Sequence, residues 1–381
     1  NQIIQSINIF MDYKYYQQLL PHLEGYTVQG IFGGSRSIDA IETVQTGNKG
    51  RIFFFDQEPM FKDLDTELWD HVFKEPTIFA NSELNSKDKQ YLEQNYPNFI
   101  DWYFFSNALL SLEWFDAQKN FYAGWNDYLH TVLDCNLITG SRQYRVYLIY
   151  LMYKRGFQRQ SHVSFNGEYN WEQDLKHYDQ FNLLQEPEHF VKRIPKEKVS
   201  YDDWGKQNKM YNTLMQSRLP LEYYSEVNYV TVSETLCVEN KQHLSEKAFK
   251  PIAAGKPFLL AAGQGNLEYL RSYGFETFKD CWDESYDLIE DPKQRLDAMF
   301  QLMEYNLNLG VHHMEGYTEG SPEWQKEVDL IPQKLEGLRH AHSIAYRNKE
   351  YFWSDKFRNR VFGEAVDNLE SAKQVLASKN I

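Results

Sequence analysis

Cysteine is scarce in this chain: Cys135, Cys237 and Cys281 are the only three in 381 residues. They are odd in number, widely spaced and form no Cys-x-x-Cys pair. That argues against a disulfide framework and a zinc site, and points to a reducing compartment, the cytoplasm. Long apolar runs are missing too. The longest, residues 52–55, 146–152 and 257–262, fall far short of the roughly 18 residues of a membrane span. Residues 1–10 carry no basic region ahead of an apolar run, so no signal peptide is expected, and the missing initiator Met suggests a trimmed start. Positive charge is in deficit, with 40 Lys and Arg against 54 Asp and Glu, a net −14. A protein that grips phosphate backbones nonspecifically usually shows the opposite balance, although a local basic groove can sit on an acidic body. No repeat, low-complexity linker, nucleophile elbow or Walker pattern stands in the sequence. The His312-His313 and His340/His342 pairs have no companion Asp or Cys at ligand spacing, so no metal site is expected.

Aromatics are plentiful: 25 Phe, 27 Tyr and 9 Trp, 16% of the chain. They serve either as packing, with tyrosine hydroxyls kept wet, or as stacking platforms for sugars or bases. Apolar periodicity predicts strands near residues 3–10, 26–32, 51–55, 77–80, 102–105, 136–139, 161–165, 229–232 and 257–260. Helical spacing falls between them, at 12–20, 86–94, 141–156 (read as amphipathic), 245–254 and 266–273, and then from 294 to the end. Strands alternating with helices predict parallel β/α layers, whose sites collect beyond the carboxyl ends of the strands. The pattern divides into residues 1–134, 135–350 and a helical tail at 351–381.

Three clusters could carry chemistry. The first is SEKAFKPIAAGKPF, residues 245–258. Beside a helix start, Glu246 can accept two ribose hydroxyls, while Lys247 and backbone N–H groups hold phosphate, with Ser245 and Lys250 alongside. The plainer alternative is a solvated helix face. The second is Asp56-Gln57-Glu58-Pro59, after the strand RIFFF. Glu58 there is either a general base for an acceptor hydroxyl or, with Asp56, the cap of a helix that Pro59 opens. The third is Gly140-Ser141-Arg142-Gln143-Tyr144-Arg145. A turn into a helix with two arginines about one turn apart suits a pyrophosphate, and Arg145 is favoured over Arg142 as the ligand. Gly33 and Gly34 either admit close backbone approach on the acceptor side or make a plain turn.

The first cluster resembles the nucleotide-sugar motif of α-1,3-fucosyltransferase-like enzymes, in which Ser/Thr-Glu-Lys precedes an aliphatic–small–Gly–x–Pro turn. It is closer still to glycosyltransferase-like proteins of tailed phages, and Gly265-Asn266-Leu267 through Gly274-Phe275 continues the likeness. The resemblance covers about 30 residues. It implies an α/β, GT-B-like fold with two Rossmann-like domains facing a central cleft. It implies an inverting hexosyl- or pentosyltransferase, with Glu246 on the ribose and Lys247 on a phosphate. Arg145 would then neutralise the leaving nucleoside diphosphate, and Glu58 would act as base, although Asp56-Gln57 departs from the family's Glu-Ser-Pro pattern. Asp63-Leu64-Asp65 reads as a helix start and not a strand end, which argues for a metal-independent reaction without cofactor. The implied partners are a nucleotide sugar and an acceptor that is either a glycan or a hydroxymethylated base in phage DNA, in the host cytoplasm if phage-encoded. Lys192, Arg193, Lys196, Lys198, Lys206 and Lys209 would either line a DNA groove or lie in a solvated loop. The rival reading is a nucleotide- or glycan-binding module of the same fold without catalysis.

Overall fold

The computed structural model describes residues 14–31, 37–45, 47–55, 66–123, 129–135, 143–166, 171–177, 179–199, 219–238, 241–304 and 320–379. The chain forms two compact units, each assembled from separate stretches of sequence. Unit 1 comprises Asn1–Asp116, Asn240–Glu246 and Phe352–Ile381; unit 2 comprises Ala117–Glu239 and Lys247–Tyr351. Both are mixed α/β with a five-stranded sheet.

Unit 1 runs through α1 (Lys14–Leu23), β1 (Thr27–Ile31), β2 (Ile41–Gln45), β3 (Arg51–Phe54), α2 (Thr66–Val72), β4 (Thr77–Asn81), α3 (Lys87–Asn95), β5 (Phe99–Tyr103) and α4 (Ser106–Trp114). Its sheet has the order β2-β1-β3-β4-β5, parallel throughout except for the antiparallel edge pair β1–β2. Ile52, Phe53, Phe54, Ile78, Phe79 and Ala80 are all buried, as expected of central strands covered on both faces. On one face Phe53 and Phe79 stack at 6.1 Å, and Trp69 of α2 meets Phe55 and Phe79 edge-on at 5.2 and 5.6 Å. On the other, Phe54 meets Trp102 edge-on at 5.3 Å and Trp102 stacks on Phe104 at 5.2 Å. The described aromatics of β3, β4 and β5 are core.

The long helix Asp355–Lys379 packs on β4 and β5. Its buried row, Phe357, Val361, Ala365, Leu369, Ala372 and Leu376, recurs every three or four residues, the stripe of a helix lying on a sheet. Trp102 donates its indole N–H to the Ala365 carbonyl at 2.9 Å, and Asn368 donates to the Tyr103 carbonyl at 2.9 Å. Gly50 turns the chain into β3 at φ +146°, and a Cβ there would collide with Leu376. Only glycine fits both demands.

Unit 2 contains β6 (Leu129–Cys135), α5 (Gln143–Lys154), β7 (His162–Asn166), α6 (Trp171–His177), β8 (Lys198–Val199), β9 (Val227–Ser233), α7 (Glu246–Ala254, whose first residue belongs to unit 1), β10 (Phe258–Ala261), α8 (Asn266–Ser272), α9 (Pro292–Leu302) and α10 (Pro322–Phe352). The sheet order is β10-β9-β6-β7-β8, with only β7–β8 antiparallel. From β6 the chain proceeds to β7 on one side, and from β9 to β10 on the other. The neighbouring strands β6 and β9 therefore flank a reversal of direction, where connections diverge and leave a crevice at the strands' carboxyl ends.

Several expectations shift. The strand β6, ending at Cys135, is one that sequence reasoning did not place, and the strand expected at 136–139 lies outside the described residues. The strand read at 102–105 begins earlier, at Phe99, because Phe104 and Phe105 leave the sheet to open α4. The strand β2 escapes a search for continuous apolar runs because IETVQ holds only two apolar residues, Ile41 and Val44, three apart. Helix α5 is not amphipathic: ten consecutive residues, Gln143 to Met152, are buried, the condition of a helix enclosed on all sides. Its tyrosines are kept in polar company. The Tyr147 hydroxyl donates to Asp297 at 2.6 Å and accepts from Lys293 at 2.8 Å, and the Tyr150 hydroxyl donates to Glu186. No helix among the described residues is long and apolar enough to cross a membrane.

Candidate functional site

The end of β9 gathers unit 2's polar groups. After Ser233, Glu234 N–H donates to the Ala261 carbonyl at 3.0 Å, extending the pairing of β9 with β10. The Glu234 side chain turns inward and is fully buried. Its carboxylate accepts the N–H of Thr235 at 2.9 Å and, from the first turn of α7, the N–H of Ala248 at 3.2 Å. A carboxylate at a helix N-terminus satisfies an orphan donor and meets the positive end of the helix dipole. Part of the N-terminal N–H array that sequence reasoning assigned to a phosphate is therefore occupied by the protein's own acid.

Cations converge on the same two residues. Arg145, in the first turn of α5, is 3% exposed. Its Nε donates to the Tyr144 hydroxyl at 3.1 Å and an Nη to the Glu234 carbonyl at 3.4 Å, while Tyr144 itself donates to that carbonyl. Lys247 of α7 is half-buried and reaches the Thr235 hydroxyl at 3.4 Å. Lys250, one turn further on, is half-buried as well. A guanidinium and an ammonium thus anchor on consecutive residues, 234 and 235, at the strand end beside the reversal. The far end of α7 offers no comparable donors. Pro251 has no N–H, and the Lys256 N–H bonds the Pro251 carbonyl at 2.8 Å to close the helix.

A second slot near this edge is already filled. The loop Gly263-Gln264-Gly265 after β10 leads into α8, with Gly265 at φ +78°. Asp287 Oδ2 accepts the Leu267 N–H at 3.1 Å there, and burial lifts its pKa to about 6. Arg295 of α9, 2% exposed, ties the surrounding loops by donating to the carbonyls of Cys237, Ala262, Ile289 and Glu290. An arginine spent on neutral carbonyls is a scaffold, holding the loops that frame the strand ends.

Of the residues singled out from sequence, the structure brings Arg145 and Lys247 to unit 2's strand edge, with Lys250 half-buried one turn further along α7. Ser245 and Glu246 are buried, 4% and 6% exposed, in the segment that belongs to unit 1. Gly33, Gly34, Asp56, Glu58 and Arg142 lie outside the described residues. His340 is exposed and His342 buried, its Nε2 3.0 Å from the Asn228 carbonyl. Sequence reasoning missed Tyr144, Glu234, Thr235 and Arg295. Glu234 carried a signal, an acid directly after a fully buried strand; Arg295 carried none beyond ordinary helix spacing. Comparison of the chain with protein-family models, curated proteins and solved structures finds no match.

Proposed function

We propose that this protein is a glycosyltransferase that moves a sugar from a nucleotide-sugar donor to an acceptor hydroxyl, using the carboxyl edge of β9 as its diphosphate site. One observation supports this most: Arg145 and Lys247, from two helix starts, anchor on Glu234 and Thr235 at the strand reversal. Ligands of open α/β sheets gather at that position, and paired cations there suit a diphosphate. The reading carries with it a two-domain GT-B arrangement and an inverting displacement. The acceptor oxygen attacks the anomeric carbon and loses its proton to Glu58, the base proposed from sequence. The bond from that carbon to phosphate oxygen breaks, and the electron pair leaves with the nucleoside diphosphate. Arg145 and Lys247 stabilise this charge, the electrostatic work such a step requires. Glu246 takes the ribose hydroxyls.

The test is a thermal-shift screen against GDP, UDP, CDP and ADP sugars, with an assay for released nucleoside diphosphate. A donor at about 100 times its Kd should add roughly 2.7 kcal/mol of stability. Slow donor hydrolysis then separates a transferase from a binding module. Lys247→Ala should weaken donor binding about tenfold or more, as loss of a charge-assisted hydrogen bond does. Unchanged binding in that variant would remove Lys247 from the site.

A further inference from the structure

The segment leading into α7 is held by an ion cluster that the proposed chemistry does not use. Residues 241–246 belong to unit 1 and lie against the turn between β4 and α3. Leu84 and Gln242 exchange both backbone hydrogen bonds, each 3.0 Å, as a one-residue antiparallel bridge. Asn85, at φ +49°, donates its side-chain amide to the Gln242 side chain at 2.7 Å. His243 Nδ1 lies 3.3 Å from the Ser82 hydroxyl, and Leu244 is fully buried. Above all, the Lys241 ammonium is 2.7 Å from Asp88 and 3.4 Å from Glu83. The lysine side chain is 3% exposed and that of Glu83 1%.

Burying a lysine is costly, and the cost is recovered only where opposite charges and good geometry meet it. The anchor fixes the position of the residues just downstream, Ser245 and Glu246, the first two members of the SEK motif. We infer that Lys241 is a positioning residue, which locks residues 242–246 onto unit 1 and so sets where Ser245 and Glu246 stand for the donor. The donor part of this inference rests on the proposed glycosyltransferase reading; the locking part does not.

Hydrogen exchange and nucleotide binding test the two parts separately. Lys241→Met alone strands two carboxylates and can fail to fold, so the working variant is the neutral triple Lys241→Met, Glu83→Gln, Asp88→Asn. Asp88→Asn, at the partly exposed end of the cluster, is the milder second variant. In the triple variant the amides of residues 242–246 should exchange about tenfold faster or more while those of β4 and β5 keep their protection. The Kd for UDP, GDP, CDP or ADP, whichever the parent chain binds, should rise about tenfold through misplacement alone. Lys241→Arg should leave both at the parent values. Exchange at 242–246 that stays at the parent rate in a folded triple variant overturns the lock. Faster exchange with an unchanged Kd overturns the positioning role. A parent chain that binds none of the four nucleotides sinks the donor reading instead, and the exchange measurement still decides whether Lys241 holds the segment.

Discussion

Lys256 in unit 2 is a lysine strongly perturbed by burial. It is fully buried beside the start of β10, and burial lowers its ammonium pKa from 10.5 to about 7. His342, buried nearby, is lowered to about 3, first by burial and then by the Lys256 charge. Between about pH 7 and 10.5 the unfolded chain binds the Lys256 proton and the folded chain does not, so stability rises with pH across that window. Below about pH 7 both states hold the proton, and the folded chain bears the full cost of the buried charge. His342 acts in the same direction between about pH 3 and 6.5. Urea denaturation measured from pH 7 to 9 should therefore show stability climbing by at most about 1.4 kcal/mol per pH unit from Lys256. Lys256→Met should flatten that climb and raise stability at pH 7. A variant as steep as the parent would place the proton elsewhere.

Among the elements, the helix Asp355–Lys379 is the clearest test of packing. Leu369 is fully buried in its stripe, so Leu369→Ala should cost roughly 2–5 kcal/mol in chemical denaturation. Trp102→Phe removes the donor to the Ala365 carbonyl and should cost about 1–3 kcal/mol. This helix was legible in sequence because a three-four apolar stripe over 25 residues leaves little else to read. The buried strands β3, β4, β9 and β10 were legible for a similar reason: short apolar runs closed by turn residues. The edge strand β2 and the true bounds of β5 were not, since two apolar residues three apart and an aromatic overhang say little without the partner strand. At the site, Arg145 and Lys247 announced themselves as charges beside helix starts. Glu234 did not, because its importance comes from where the α7 N–H groups arrive, and that is a property of the fold.

At the scale of the molecule, net charge makes the acceptor of the proposed reaction testable. With a net −14, association with a polyanion depends on a local basic surface and weakens steeply as salt rises. Under the proposed transferase reading, raising salt from roughly 50 to 200 mM should cut transfer to hydroxymethylated duplex DNA by orders of magnitude, while transfer to a neutral glycan hardly changes. Steady rates on DNA across that range would point to recognition without phosphate contacts.

The hydrogen bond from Trp102 to Ala365 joins residues 263 positions apart. During synthesis, β5 therefore leaves the ribosome long before the helix that covers it exists. At 5–20 residues per second the delay is roughly 13–50 s. Throughout it, the aromatic face that holds Phe54 and Trp102 lacks the long helix that packs on β4 and β5. Nascent chains of this protein should accordingly lean on chaperones for that interval, and a stop codon ahead of residue 355 should release an aggregating product and not a smaller soluble one.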